Sequence, residues 1–376
     1  MPKITRIFIG ITLRCRRLFT ARRIQAQRRE GDFMTKVVDS IIERAAKLNK
    51  HVVLPEGEDK RVVKAAEEIA KQGFAQVTVL GDDKEIQKNN PEINFDGFTV
   101  INPQNYPKTD LYANILFETR KGKINKKTGN PEFSTVEEAK TAILKDYTMY
   151  GALMLKNGDV DGMVSGACHS TANTLRPGLQ VIKTAPGEKI VSAYFLMIAP
   201  ESGNKYCEDG CYIYADSGLN QNPTAEELAY IALSSAKSAE QIAGIEPRIA
   251  FISHSTKGSA KHADVDKVVE AVKTFKEIAP GYKADGELQF DAAIVPDVAK
   301  TKAPGSPVAG HANVLIFPDL DAGNSNYKNT ERLGGFQAIG PLCQGFAKPI
   351  NDLSRGCGYK DIVVAVAITA LQTQIK

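Results

Sequence analysis

Long apolar runs are missing from this 376-residue chain: none approaches the ~18 residues of a membrane-spanning helix, and no membrane class is indicated. Paired cysteines are missing too. The six Cys, at 15, 168, 207, 211, 343 and 357, follow no disulfide pattern and imply a reducing, cytoplasmic setting. Cys207 and Cys211 are spaced like half of a zinc site, but no second pair of ligands stands near them and the five His are scattered, so no metal is expected. No GxGxxG fingerprint occurs. The stretch 253–260 has a phosphate loop's composition without the Walker spacing, since Gly258 follows Lys257 and no Gly lies five residues before it. Nucleoside triphosphatases and standard dinucleotide-dependent dehydrogenases therefore lose most of their support.

A basic body is the last absence. Of the net charge of +4, residues 1–33 alone carry +7, from eight Arg and one Lys against Glu30 and Asp32, which leaves −3 for residues 34–376. Nucleic acid is therefore not an expected partner. The extension is Arg-rich and acid-poor like a targeting presequence, yet it has no Ser and its apolar run 7–13 is short for a secretory signal. The reading adopted is an upstream start outside the folded unit, because Met34 and Thr35 open a capped helix with apolar residues at helical spacing from Val37 to Leu48.

What is present is an alternation of short apolar strands and amphipathic helices. Residues 51–56 read as a strand, 58–73 as a helix with Val62, Val63, Ala66, Ile69 and Ala70 inward, and 76–80 as a strand, a right-handed crossover unit of a parallel sheet. Further strands are expected at 98–101, 161–165, 190–198, 211–215, 248–252 and 313–318, and helices at 111–119, 136–145, 147–156, 224–243 and 264–278, with 121–134 a solvated loop. The strand ending in Ser165 and the Gly-rich residues after it put free backbone N–H groups at the start of a helix, where an anion can bind; Ser170 or Thr171 is either a ligand or a helix cap. The densest chemistry is late. Ser354, Arg355, Cys357 and Asp361 fall within eight residues, around Gly356 and Gly358 and just before the apolar run 362–371, a polar turn mounted on a buried helix.

Three segments together resemble the phosphate acetyltransferase (phosphotransacetylase) family: 159–166 with 169–176, then 253–260, and above all 317–335 with 344–357, the latter Gln-Gly-Phe-Ala-Lys-Pro-Ile-Asn-Asp-Leu-Ser-Arg-Gly-Cys. The resemblance covers about 36–376 and implies reversible transfer of an acetyl group between coenzyme A and inorganic phosphate, giving acetyl phosphate. It implies two α/β domains with the active site in the cleft between them, 34–187 with 344–376 and 188–343, and a fold similar to isocitrate and isopropylmalate dehydrogenases. It also implies a cytoplasmic homodimer, acetate kinase as pathway neighbour, no bound cofactor beyond coenzyme A as substrate, and stimulation by a monovalent cation. By residue, Asp361 matches the base for the thiol, Ser354 the hydroxyl on the acyl carbonyl and Arg355 the phosphate-side cation. Arg332, Arg176 and Arg120 match arginines that bind coenzyme A or phosphate, and Ser170, Thr171, Ser255, Lys257 and Cys357 are the remaining binding candidates. The loop 121–134, the segment 207–211 and residues 1–33 depart from the family pattern.

Acyl phosphate chemistry asks for phosphate binding, an oxyanion donor and a thiolate. Arginine forks suit the first and the Ser354 hydroxyl or a nearby N–H the second. The third is harder, because ordinary Asp and thiol values of about 3.9 and 8.5 leave about 6 kcal/mol against proton transfer. Burial of Asp361 on domain closure and a cation beside the sulfur are expected to narrow that gap, while the helix dipole opposes it. An acetyl-Cys357 intermediate ranks below direct transfer, since no His lies nearby in sequence. The rival readings are phosphate butyryltransferase, a metal- and NAD-dependent hydroxyacid dehydrogenase and, least favoured, a non-catalytic interaction module.

Overall fold

The computed structural model describes residues 36–125, 128–200 and 202–375; the basic extension, Cys15 and the cap at Thr35 lie outside the described residues. The strands are β1 (His51–Leu54), β2 (Gln76–Leu80), β3 (Thr99–Ile101), β4 (Gly162–Ser165), β5 (Ser192–Ile198), β6 (Cys211–Ala215), β7 (Arg248–Ile252), β8 (Lys283–Leu288), β9 (Val314–Ile316), β10 (Gln337–Gln344) and β11 (Ile350–Asp352). The helices are α1 (Lys36–Leu48), α2 (Lys60–Gln72), α3 (Asp83–Asn89), α4 (Thr109–Arg120), α5 (Val136–Ile143), α6 (Tyr147–Asn157), α7 (Thr171–Pro177), α8 (Ala225–Ser238), α9 (Ala263–Ile278), α10 (Phe290–Ile294), α11 (Pro296–Lys302), α12 (Leu320–Gly334) and α13 (Tyr359–Gln372).

They build two α/β units. The first sheet is parallel throughout, in the order β11-β4-β1-β2-β3, with His51 opposite Gln76 and Val52 opposite Gly162. The second runs β10-β5-β6-β9-β7-β8 and is parallel except where β5 meets β6 and β10. Buried strands explain the unbroken apolar runs: all of β5, β6 and β9 is buried, as parallel-type sheets covered on both faces require.

Local signals set the helices. Asp59 caps α2 by accepting from the Arg61 N–H, and Gly73 ends it at φ 68°, its N–H on the Ile69 carbonyl. In α1, Val38, Ile41, Ile42 and Ala45 form the buried stripe. The last helix differs, because every residue of α13 from Ile362 to Gln372 is buried. Its Ile, Val and Leu side chains each bring roughly 1.5–3 kcal/mol of gross transfer free energy. They pack against α1, α2 and β4 of the first unit.

The connection between the units is polar and satisfied. Asn351 accepts from the Cys343 N–H at 2.8 Å and donates to Thr369 Oγ1 and Gln372 Oε1, both at 2.7 Å, while Gln372 Nε2 donates to the Cys343 carbonyl at 2.8 Å. Such a buried network fixes one register and so orients the turn that follows β11.

Several elements depart from the sequence expectation. The helix expected over 224–243 stays α-helical only to Ser238 and widens into a π turn over Ala239–Ala243. The strand β8 and helices α10–α12 were unforeseen; β8 carries Asp285, Gly286 and Glu287 in its middle, and Gly323 is the buried position of α12. Polar, Gly-containing segments of this kind have no periodic apolar signal to read. Strand β10 holds Gly340 and Pro341, tolerated because it is the sheet's edge.

Candidate active site

The rim of the first sheet is organised by a carboxylate. Glu56, beyond the end of β1, is 1% exposed, and its Oε2 accepts the N–H groups of Gly166 and Ala167 at 2.8 Å each. Its Oε1 accepts from the N–H groups of Cys168 and His169 at 3.2 and 3.1 Å and bonds His169 Nδ1 at 2.7 Å. The anion nest expected after β4 therefore exists, but the chain's own side chain fills it. Ser170 is the cap of α7, its Oγ accepting from the Asn173 N–H at 3.3 Å. Burial, with Glu56 and Glu58 alongside, pushes the Cys168 thiol up.

Arg61 joins this rim to the Ser354 turn with all five donors of its fork. Nε and Nη2 bind Asp59 at 3.0 and 2.6 Å, Nη1 donates to the carbonyls of Arg355 and Cys357 at 2.8 Å each, and Nη2 also donates to that of Ala167 at 2.7 Å. The bonds from Arg61 hold the Asp59 carboxyl below its ordinary value.

The turn itself is tight: the Cys357 N–H bonds the Ser354 carbonyl at 2.9 Å, the Gly356 N–H bonds Ser354 Oγ at 3.3 Å, and the Gly358 N–H bonds Asp361 Oδ2 at 2.8 Å. Ser354, Arg355 and Gly356 are exposed, Asp361 half-buried and Cys357 buried. The Arg355 guanidinium makes no hydrogen bond or ion pair among the described residues. Burial pushes the Cys357 thiol up to about 11, an effect that Arg61 offsets only in part.

These groups face the second unit across a cleft of about 300 Å³. Ser354, Gly356, Cys357, Asp361 and Asp352 line one wall, and Phe195 with Tyr327, Lys328, Glu331 and Arg332 of α12 the other. Tyr327 stacks on Phe195 at 3.7 Å between centroids, fixing α12 against β5, and Arg332 stands exposed at its C-terminal end. A second cavity, about 530 Å³, opens on the rim of the first sheet. Glu58, Asp82, Lys145, Asp146, His169 and Arg176 are among its lining, and Arg176 pairs with Asp146 at 3.2 Å.

Of the residues singled out in the sequence, Ser354, Cys357, Asp361 and Arg332 thus meet in one cleft, with Arg355 at its edge, Arg176 in the second cavity and Thr171 beside the buried Asp352. Four others line neither, Ser170 among them as the cap of α7. Arg120 is bound by Glu132 of the 121–134 loop, Nε at 3.0 Å and Nη2 at 2.6 Å. Ser255 donates to Glu287 at 2.9 Å, and Lys257 Nζ bonds Asp285 and the Gly286 carbonyl. The same Glu287 accepts from the Gly258 N–H at 2.6 Å, so this loop too is filled from within. Cys207 and Cys211 are buried free thiols, and the three-residue cluster that brings metal-capable atoms together among the described residues, Glu56, Cys168 and His169, does not include them. Sequence reasoning passed over Arg61, Glu56 and Asp352, whose roles depend on partners about 100 to 300 residues away in the chain.

A profile described as phosphate acetyl/butaryl transferase matches residues 36–370. The chain is 50% identical over 337 residues to a phosphate acetyltransferase of Acetivibrio thermocellus, covering 90% of this chain and 98% of that one. It is 47% identical over 340 residues to the phosphate acetyltransferase of Clostridium acetobutylicum, covering 90% and 98%. A crystal structure of a phosphotransacetylase from Streptococcus pyogenes superposes with a TM-score of 0.81 at 42% identity, over 90% of this chain and 99% of that one. A branched-chain phosphotransacylase from Enterococcus faecalis, 16% identical with a TM-score of 0.61, shares the fold.

Proposed function

The chain belongs to the phosphate acetyltransferase family, and from that premise we propose how its cleft interconverts acetyl-coenzyme A plus phosphate with coenzyme A plus acetyl phosphate. In the direction of thioester synthesis, the coenzyme A sulfur attacks the carbonyl carbon of acetyl phosphate, the bond from that carbon to the bridging oxygen breaks with its electron pair leaving on inorganic phosphate, and the thiol proton passes to Asp361. The single observation that carries this assignment is the meeting of Ser354, Cys357 and Asp361 with Lys328 and Arg332 across one cleft. Arg355, exposed and without an ion pair among the described residues, is the cation for the phosphoryl oxygens, whose geometry its fork matches. The Ser354 hydroxyl donates to the carbonyl oxygen as charge develops there. Coenzyme A is too long for the 300 Å³ cleft alone, so Arg176 in the larger cavity takes part of its anionic length, exchanging Asp146 for a phosphate. Because Cys357 sits high, at about 11, transfer is direct and not through an acetyl-cysteine.

The enzyme is read further as a cytoplasmic homodimer, stimulated by a monovalent cation and working beside an acetate kinase. The support for these is the family resemblance; among the described residues no helix is long and apolar enough to cross a membrane. The test is thioester formation from coenzyme A with acetyl or butyryl phosphate, without divalent metal or NAD. Fast turnover with acetyl phosphate is expected, and Asp361→Asn lowers kcat by about 10²–10⁴-fold as expected on loss of a general base. An unchanged pH profile in Asp361→Asn refutes the base.

A further inference from the structure

Beside the Ser354 turn lies a group of buried oxygens without a well-formed hydrogen bond among the described residues. Ser165 Oγ, Thr174 Oγ1 and both carboxylate oxygens of Asp352 have no hydrogen-bond partner among the described residues. They are neighbours: Asp352 ends β11 in register with Ser165 at the end of β4, and the hydroxyl-bearing Thr171 and Thr174 of α7 stand beside its carboxyl. Gly166 is held against it so closely that a Cβ there would lie 2.2 Å from Asp352 Oδ1. Asp352 is only 1% exposed, yet it lines the same cleft as Ser354, Cys357 and Asp361.

A buried carboxylate without a partner is something a fold removes unless it is used. An amide of the same shape would fill this space without the charge. The position is also mechanical: Asp352 is two residues from Ser354, and the α7 hydroxyls beside it belong to the helix that carries Arg176. The two sides of the candidate site therefore meet at this carboxyl.

We propose that Asp352 is a positioning residue whose charge state couples α7 to the Ser354 turn. Protonated, it keeps a single carbonyl oxygen as its good acceptor and holds Thr171 and Thr174 more weakly. Ionised, it accepts from both hydroxyls and from the Leu353 N–H, drawing the N-terminal turn of α7 against the end of β11 and setting Ser354 relative to Arg176. Burial is the main force holding its proton, with the negative charge of Glu56 adding to it, and together they push the carboxyl up to about 6, within reach of working pH. The ionisable groups on the elements around it are Glu56 beyond β1, Cys343 on β10, Cys168 and His169 after β4, Arg176 on α7, Arg355 and Cys357 on the turn, Asp361 on α13 and, across the cleft, Lys328, Glu331 and Arg332 on α12; burial pushes the Cys343 thiol up, so it is uncharged in this range.

The role rests on the acetyl transfer assigned above, and the test separates the two. The full chain, with Asp352→Asn, Thr174→Val and Thr174→Ser, is assayed for acetyl phosphate turnover from pH 5 to 8, and infrared difference spectra follow the carboxyl band over the same range. A protonated carboxyl band that titrates near pH 6 in the wild type and is absent in Asp352→Asn is expected. So are an acid limb of kcat near that pH, its loss in Asp352→Asn with kcat at least tenfold lower and KM for coenzyme A within twofold, the same loss in Thr174→Val, and a wild-type profile in Thr174→Ser. An acid limb that survives in a folded Asp352→Asn, or Thr174→Val behaving as Thr174→Ser does, overturns the proposal. If Asp352→Asn does not fold, the two Thr174 variants decide. A titrating carboxyl in a wild type that turns over no acetyl phosphate overturns the functional reading, and this role with it.

Discussion

Arg61→Met is the substitution whose consequence the structure defines most fully. The guanidinium makes five bonds, two to Asp59 and three to the carbonyls of Arg355, Cys357 and Ala167. Asp59 loses its partner but keeps its capping bond to the backbone N–H of residue 61, and it is partly exposed, so water takes up most of the difference. The Arg355 carbonyl is in an exposed residue, but those of Ala167 and Cys357 belong to buried ones, and each orphaned acceptor costs about 1–3 kcal/mol. The sum is about 2–6 kcal/mol, with the lower half favoured because Arg61 itself is a third exposed. The kinetic effect is larger. Without the clamp the Ser354 turn is free to shift against the Gly166 loop, and a misplacement of about 1 Å lowers kcat by roughly 10²-fold. Arg61→Lys falls between, because three donors on one nitrogen cannot span Asp59 and three carbonyls. Thermal melts paired with acetyl phosphate turnover, run well below the variant's melting temperature, separate the two effects. Wild-type kcat in a folded Arg61→Met would refute the clamp.

Two further outcomes follow from buried groups. Cys357→Ala keeps most of the turnover, since a thiol pushed up to about 11 is not a nucleophile at neutral pH; a loss beyond about tenfold, or acetyl label trapped on Cys357, would restore the covalent route. Asp352→Asn stabilises the protein against urea above pH 6. The native carboxyl, at about 6 against an ordinary 3.8, binds a proton the unfolded chain releases, so its contribution falls as pH rises from about 4 to 6, by about 3 kcal/mol at most. The gain vanishes near pH 4, and an equal gain at all pH values would show that charge is not its cause.

The strands of both sheets were legible where they were apolar, β1, β2, β5, β6 and β7, because burial on both faces writes itself into the sequence as an unbroken run. The Ser354 turn was legible as a candidate because its polar residues lie within eight positions of one another. The opposite wall was less so: α12 covers the cleft with polar residues, and Tyr327 and Lys328 acquire meaning only when β5 and the turn come against them. The two loops of small polar residues and Gly misled for a specific reason. Composition reveals that a backbone can bind an anion, and cannot reveal that Glu56 or Glu287 already does. Arg120 illustrates the same blindness, since its partner Glu132 lies in a loop that pattern reading treats as solvent.

Glu56 and Glu287 have a third counterpart in Asp216, beyond β6, which accepts the N–H groups of Gly218 and Leu219 at 2.8 and 2.9 Å. Where these three carboxylates already hold the loop amides, in the first sheet and in the second, little foothold is left for the nucleotides, sugar phosphates and sulfate that compete for any open ring of peptide dipoles. On the proposed reading, selection among anions falls to exposed side-chain cations such as Arg355 and Arg332, whose grip weakens with ionic strength. An enzyme that must release phosphate in one direction and capture it in the other gains from such a grip, because a lightly held product leaves quickly, and salt rather than bystander metabolites becomes its natural inhibitor.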